Sequence, residues 1–127
     1  MNIVKISRCL MIFVGVSGCF SVLFSAWLAH AGQSLAIVEQ TRLETAVNFQ
    51  LIHTLALLAT LVWISRQPSK ILLSASLCFC IGIICFSGSL YAKTFLSLSY
   101  IGNFAPFGGV LLALAWLQLA FIGKSKL

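Results

Sequence analysis

The chain of 127 residues is 61% hydrophobic and 8% charged, with a net charge of +6 and a mean hydropathy of +1.08. Eight basic and two acidic side chains cannot cover the surface of a soluble domain of this size, which excludes a water-soluble fold and implies an integral membrane protein. The basic residues stand singly or in pairs between apolar runs rather than in a patch, so the positive charge points to membrane topology and away from a nucleic-acid partner.

Four nonpolar runs, residues 9–29, 46–64, 71–92 and 100–122, each approach the ~20 residues that cross a ~30 Å hydrocarbon layer as a helix. Stretches such as LLATLVWI lack the alternation of a barrel strand. The expected fold is a single all-α membrane domain, residues 1–127, with four transmembrane helices in an antiparallel bundle.

The first run follows Lys5 and Arg8 and ends at Ala29-His30-Ala31, which mimics a secretory signal, while Val16-Ser17-Gly18-Cys19 imitates a lipoprotein box. The run exceeds the about 7 to 15 apolar residues of a cleaved segment and stays apolar after Cys19, so it is expected to remain as span 1. Gly15, Gly18, Val22, Ser25 and Ala29 form a small-residue seam along it. Such seams let helix backbones approach where lipid removes the hydrophobic drive to associate.

Residues 30–45 make the one substantial polar connection. Thr41-Arg42-Leu43-Glu44 has the spacing of a capping box, which would start helix 2 there. Alternatively, and slightly favoured, Ser34 caps a helix whose first turns lie on the outer membrane surface before the chain turns inward.

Within span 2, Gln50 and His53 lie three residues apart and share a face. Glu44 falls about 180° around the helix from His53, so the two do not form an acid–base pair. At ~1.5 Å per residue, Gln50 and His53 sit roughly 6 to 10 Å below the outer surface, as do Ser25, Ser87 and the Gly108-Gly109 pair. The four helices thus bring polar or small groups to one layer. No carboxylate lies at that depth, and His53 is expected to act there as a neutral hydrogen-bonding group.

Span 3 holds Cys78, Cys80 and Cys85; with Cys9 and Cys19 the cysteines total five, none in an outer loop. Cys78 and Cys80 point about 200° apart on a helix, and no C-x-x-C pair exists, which argues against a thiol oxidoreductase. Ile71, Ala75, Cys78, Gly82, Cys85, Ser89 and Ala92 form a second seam, and Pro106, Gly109, Ala113, Trp116, Ala120 and Gly123 a third in span 4. Their period near 3.5 predicts a left-handed bundle. Pro106 is expected to start or kink helix 4, freeing carbonyls that Gln50 or His53 could meet. Lys5, Arg8, Arg66, Lys70, Lys124 and Lys126 fall on one side and only Arg42 and Lys93 on the other, so both termini are expected in the cytoplasm.

The motifs Gln50-Leu51-Ile52-His53-Thr54-Leu55-Ala56-Leu57, Phe86-Ser87-Gly88-Ser89-Leu90-Tyr91 and Pro106-Phe107-Gly108-Gly109, with Ala29-His30 before them, span nearly the whole chain in order. Together they resemble the YgdD-like bacterial inner-membrane proteins, a family of unknown function with small eukaryotic transmembrane relatives. The chain departs from that pattern at Ala31, Asn48 and Lys93. The resemblance implies a four-span inner-membrane protein and no particular reaction. The candidate polar-layer and motif residues are therefore His30, Glu44, Gln50, His53, Ser87, Gly88, Ser89, Tyr91, Pro106, Gly108 and Gly109.

No nucleophile has a base beside it and no ligand cluster stands out, so neither an enzyme nor a metal or cofactor site is expected. The expected role is that of a structural or accessory protein binding lipid or other membrane proteins, its own copies included. A small oligomeric transporter or channel is the alternative. Length and span number resemble the small multidrug exporters, but their first-span carboxylate has no counterpart between Cys9 and Ala29.

Overall fold

The computed structural model describes residues 2–127 and consists of helices. Helix α1 covers Ile3–His30, α2 Ile37–Arg66, α3 Lys70–Phe95 and α4 Ala105–Lys126; short 3-10 helices at Ala31–Ser34 and Ser99–Phe104 precede α2 and α4. All four long helices are apolar and long enough to cross a membrane.

Their starts follow local chemistry. Asn2 caps α1 by accepting from the Val4 amide, and the Ser69 hydroxyl accepts from the amides of Ile71 and Leu72 to open α3. Helix α4 begins at Ala105 rather than near Tyr100, because Pro106 in its first turn has no amide hydrogen with which to continue an α-helix backward. Helix α3 ends where Ser97 adopts a left-handed conformation, φ 53°.

Helix α2 uses neither expected cap. It is continuous from Ile37, with Ala36 at its N-cap and no side-chain cap bond, so residues 30–45 hold a 3-10 turn and the first turns of α2 rather than a separate surface helix. The Ser34 hydroxyl instead donates to the Ala31 carbonyl, and Thr41 lies inside the helix. Two other side chains serve this entry. Gln40 donates to the carbonyls of Gln33 and Leu35, holding the connection down, and Glu39 in the first turn complements the helix dipole.

Helices α2 and α3 form the centre, with 50% and 44% of their spans buried against 22% each for the helices flanking them. Helix α1 packs mainly on α2 and α4 mainly on α3. Leu57, Leu61, Leu72, Phe79, Leu112 and Ala115 sit in the shared apolar core.

The small-residue seams divide sharply. On α3 the expected face is largely the inner one, with Ala75, Gly82 and Ser89 buried, although Ile71 is exposed. On α1 the expected seam faces outward. Gly15, Val22, Ser25 and Ala29 are exposed, and a Cβ built at Gly15 or Gly18 would meet nothing within 4 Å. The inner face of α1 is instead Leu10, Val14, Ser17, Ser21 and Leu28. On α4 the buried set is Gly108, Leu112, Ala115 and Ile122, one position from the expected seam at several points and so turned by about 100°.

Candidate functional site

The polar layer is a hydrogen-bonded chain across three helices, centred on Gln50. Its amide nitrogen donates to the Ser17 hydroxyl at 3.0 Å and lies 3.5 Å from the Ser17 carbonyl, while its amide oxygen accepts from the Tyr91 hydroxyl at 2.7 Å. Ser17 and Thr54 share a further bond of 2.7 Å between hydroxyls, and Ser21 donates to the Ser17 carbonyl at 2.8 Å. Tyr91 of α3, Gln50 and Thr54 of α2, and Ser17 of α1 therefore form one connected unit. Gln50, Thr54, Ser17 and Ser21 are all buried. Such bonds stabilise helix contacts in lipid by about 0.6 to 2 kcal/mol each, and an amide left unpaired there costs more.

Ser87 adds a second link between α2 and α3, its hydroxyl donating to the Ala46 carbonyl at 2.6 Å. Above these bonds the Tyr91 ring meets Phe20 and Phe24 edge-on, and Phe24, Trp27 and Phe95 continue the aromatic contact between α1 and α3. Arg42 donates to the Thr94 hydroxyl at 3.2 Å nearer the outer end.

His53 is buried but stands apart from this unit. Its Nδ1 lies 2.7 Å from the Phe49 carbonyl one turn back on its own helix; a carbonyl only accepts, so this bond places a proton on Nδ1. The ring stacks on Phe49 and neighbours Phe79 and Trp116, on the side of α2 that faces α4. Three residues of helix separate His53 from Gln50 by about 60° around the axis, enough to send one toward Phe79 of α3 and Trp116 of α4 and the other toward α1 and Tyr91. Neither side chain bonds a carbonyl freed by Pro106, which lies exposed in the first turn of α4.

The remaining sequence candidates scatter. Ser89 donates to the Phe86 carbonyl of its own helix. Gly88 has no neighbour near its missing Cβ and lines a groove of about 230 Å³ with Gln50, Ser87 and Tyr91. Gly108 is the tight position: a Cβ there would collide with the Phe86 backbone nitrogen and sit 2.8 Å from its Cα, whereas at Gly109 the nearest atom is 3.9 Å away. His30 ends α1 on the surface, and Glu44, also exposed, borders an outer cleft with Ser25, Gln33 and Asn48. Among the described residues no group of three potential metal ligands comes together.

Ser17 and Thr54 are the partners that sequence reasoning missed; Tyr91 was among its candidates, but not as the partner of Gln50. Ser17 and Gln50 each lie 13 residues from the outer ends of α1 and α2, a shared depth that appears only because α2 starts at Ile37; counted from residue 46, Gln50 falls level with Ser25 instead, which is exposed.

A helical chain with four membrane-spanning lengths and an interior polar link rather than a charged pathway is a small multi-pass membrane protein. It belongs to the family described as Protein of unknown function (DUF423), whose model matches residues 24–109. The chain is similar to a UPF0382 membrane protein of Haemophilus influenzae, 36% identical over 85% of this chain and 87% of that relative. It is 32% identical to the UPF0382 inner membrane protein YgdD of Escherichia coli strain K12, over 95% of this chain and 92% of the other. A UPF0382 membrane protein of Staphylococcus aureus is 37% identical over 60% of this chain and 62% of its own. No solved structure matches the chain. Its location is the bacterial inner membrane, which it crosses as a multi-pass protein.

Proposed function

We propose that this protein is a structural or accessory component of the inner membrane, not an enzyme, and that it binds other membrane proteins or lipid. The observation that carries this reading is the outward seam of α1. Gly15, Gly18, Val22, Ser25 and Ala29 repeat at helical spacing on a face where all but the half-buried Gly18 are exposed and where a Cβ at Gly15 or Gly18 would meet nothing within 4 Å. In lipid such a face gains little by itself and suits the close approach of another helix, from a different protein or a second copy. The bundle is left-handed with both termini cytoplasmic, a topology supported by the six-to-two division of basic residues.

Cys19 is exposed on α1 one turn after Gly15 and provides the test. Oxidative or bifunctional thiol cross-linking in intact membranes should capture a neighbour through Cys19, and Gly15→Leu with Gly18→Leu should abolish that product while leaving the monomer folded. Persistence of the same product in the double variant would contradict the docking role. Reporter fusions at Leu127 and within 33–40 should report cytoplasm and exterior respectively.

The second reading, a small oligomeric transporter, draws on the 230 Å³ groove between α1 and α3 with Gln50 and Tyr91 in its wall. Proton uptake by the solubilised protein between about pH 5 and 8, abolished by His53→Gln, would favour it.

A further inference from the structure

At the end opposite the polar layer, α1 and α2 diverge around a groove of about 440 Å³, within the size range of ligand pockets. Val4 and Met11 of α1 and Leu61 and Ile64 of α2 make its apolar walls, and Arg8 stands at its edge. Two features separate it from an ordinary lipid-facing crevice. The first is uncompensated charge. Lys5, Arg8 and Arg66 converge on this end, whereas Glu39 and Glu44, the only side-chain carboxylates, lie near the other end of α2, and the first turn of α1 holds no acid. No side-chain carboxylate of this chain lies at that end to pair with them. The second is Ser7, which lines the groove and whose hydroxyl is buried without a hydrogen-bond partner. A buried hydroxyl in that state is unfavourable, and a ligand that displaces the side chains over it supplies the acceptor it lacks.

We propose that this groove binds one anionic glycerophospholipid, an acyl chain lying against the exposed Met11 with Leu61 and Ile64 behind it, the phosphate on Arg8, and an ester carbonyl at Ser7 once the side chains covering its hydroxyl give way. The ligand's own order matches the wall. Arg8 extends its guanidinium toward the headgroup level while its stem covers apolar surface, and the ester group of such a lipid lies just below its phosphate. The site rests on the lipid half of the accessory reading and gives it a place and a lipid class.

The full chain, purified in a mild detergent, is to be mixed with dioleoyl phosphatidylglycerol or dioleoyl phosphatidylcholine and the retained lipid measured by native mass spectrometry. Phosphatidylglycerol should be retained at least about fivefold over phosphatidylcholine, the discrimination one basic residue near a membrane surface provides. Arg8→Gln should remove that preference, the Lys124→Gln and Lys126→Gln double variant should keep it, and glycerol phosphate without chains should not bind. Equal retention of the two lipids by the wild type, or equal loss in the two variants, would overturn the site. Such a failure with Cys19 cross-links still present would sink the lipid site and leave the docking role standing; loss of the cross-links with lipid preference intact would do the reverse.

Discussion

The two flanking helices are attached by different physics. Helix α4 lies against α3 by backbone proximity: Gly108 sits on the Phe86 backbone, a Cβ at Gly82 would come within 2.6 Å of Leu112, and among the described residues the one side-chain bond between them is a 3.5 Å contact from Gln118 to the Cys78 sulfur. Helix α1 lies against α2 by polar side chains, through Gln50, Ser17 and Thr54, and its glycines face away. Glycine in a membrane helix therefore has no fixed meaning. On α4 it permits contact within the chain, and on α1 it leaves a smooth outer face.

Substitutions should separate these two attachments. Gly82→Leu is expected to have the largest effect, displacing α4 and lowering stability by about 3 kcal/mol or more, because even a methyl group there crowds Leu112 and the Gly108 carbonyl. Resistance to thermal unfolding in detergent measures it. Gln50→Leu comes next, at about 1 to 3 kcal/mol, since it strands the Tyr91 hydroxyl and removes the amide that bonds Ser17; the same assay, with cysteine accessibility on α1, should show α1 loosening while α4 stays in place. Ser87→Ala removes one bond to the Ala46 carbonyl and should cost about 1 kcal/mol, read as a modest shift in unfolding temperature. His53→Gln and His53→Leu form the smallest pair. Because His53 bonds only a carbonyl of its own helix, losing that bond should change stability by about 0.5 kcal/mol, with packing against Phe79 and Trp116 deciding the remainder. A large, equal loss in both would mean that His53 has a partner outside this chain.

The spans and the inner face of α3 were legible because hydropathy and the spacing of small residues are local properties. The inner faces of α1 and α4 were not. Helix α1 carries two stripes, one of glycines and one with Ser17 and Ser21, and only the presence of Gln50 and Thr54 on α2 decides that the serine stripe turns inward. The face of α4 is likewise settled by the Phe86 backbone, which no pattern within α4 encodes. Gln50 could be picked out as an amide deep in a span, but its hydroxyl partners could not, because hydroxyls in membrane helices often bond their own backbone. Ser21, Thr60 and Ser76 do so here, while Ser17 reaches Thr54 and Ser87 reaches across to α2. The separation of His53 from Gln50 was hidden by the shared-face rule, since about 60° of helix suffices to choose different neighbours: Ser17 and Tyr91 for Gln50, Phe79 and Trp116 for His53.

The most direct test adds one methyl group to each flanking helix and compares thermal unfolding in detergent of Gly108→Ala and Gly18→Ala. Both exchange the same residues within a helix, where alanine is intrinsically favoured over glycine by about 0.8 to 1 kcal/mol. Gly108→Ala should unfold well below the wild type because its Cβ meets the Phe86 backbone, and Gly18→Ala should unfold at or above the wild type because nothing lies within 4 Å. Equal destabilisation by the two, or a stable Gly108→Ala beside a disrupted Gly18→Ala, would contradict the assignment of the close contact to α3 and α4 and the outward face to α1.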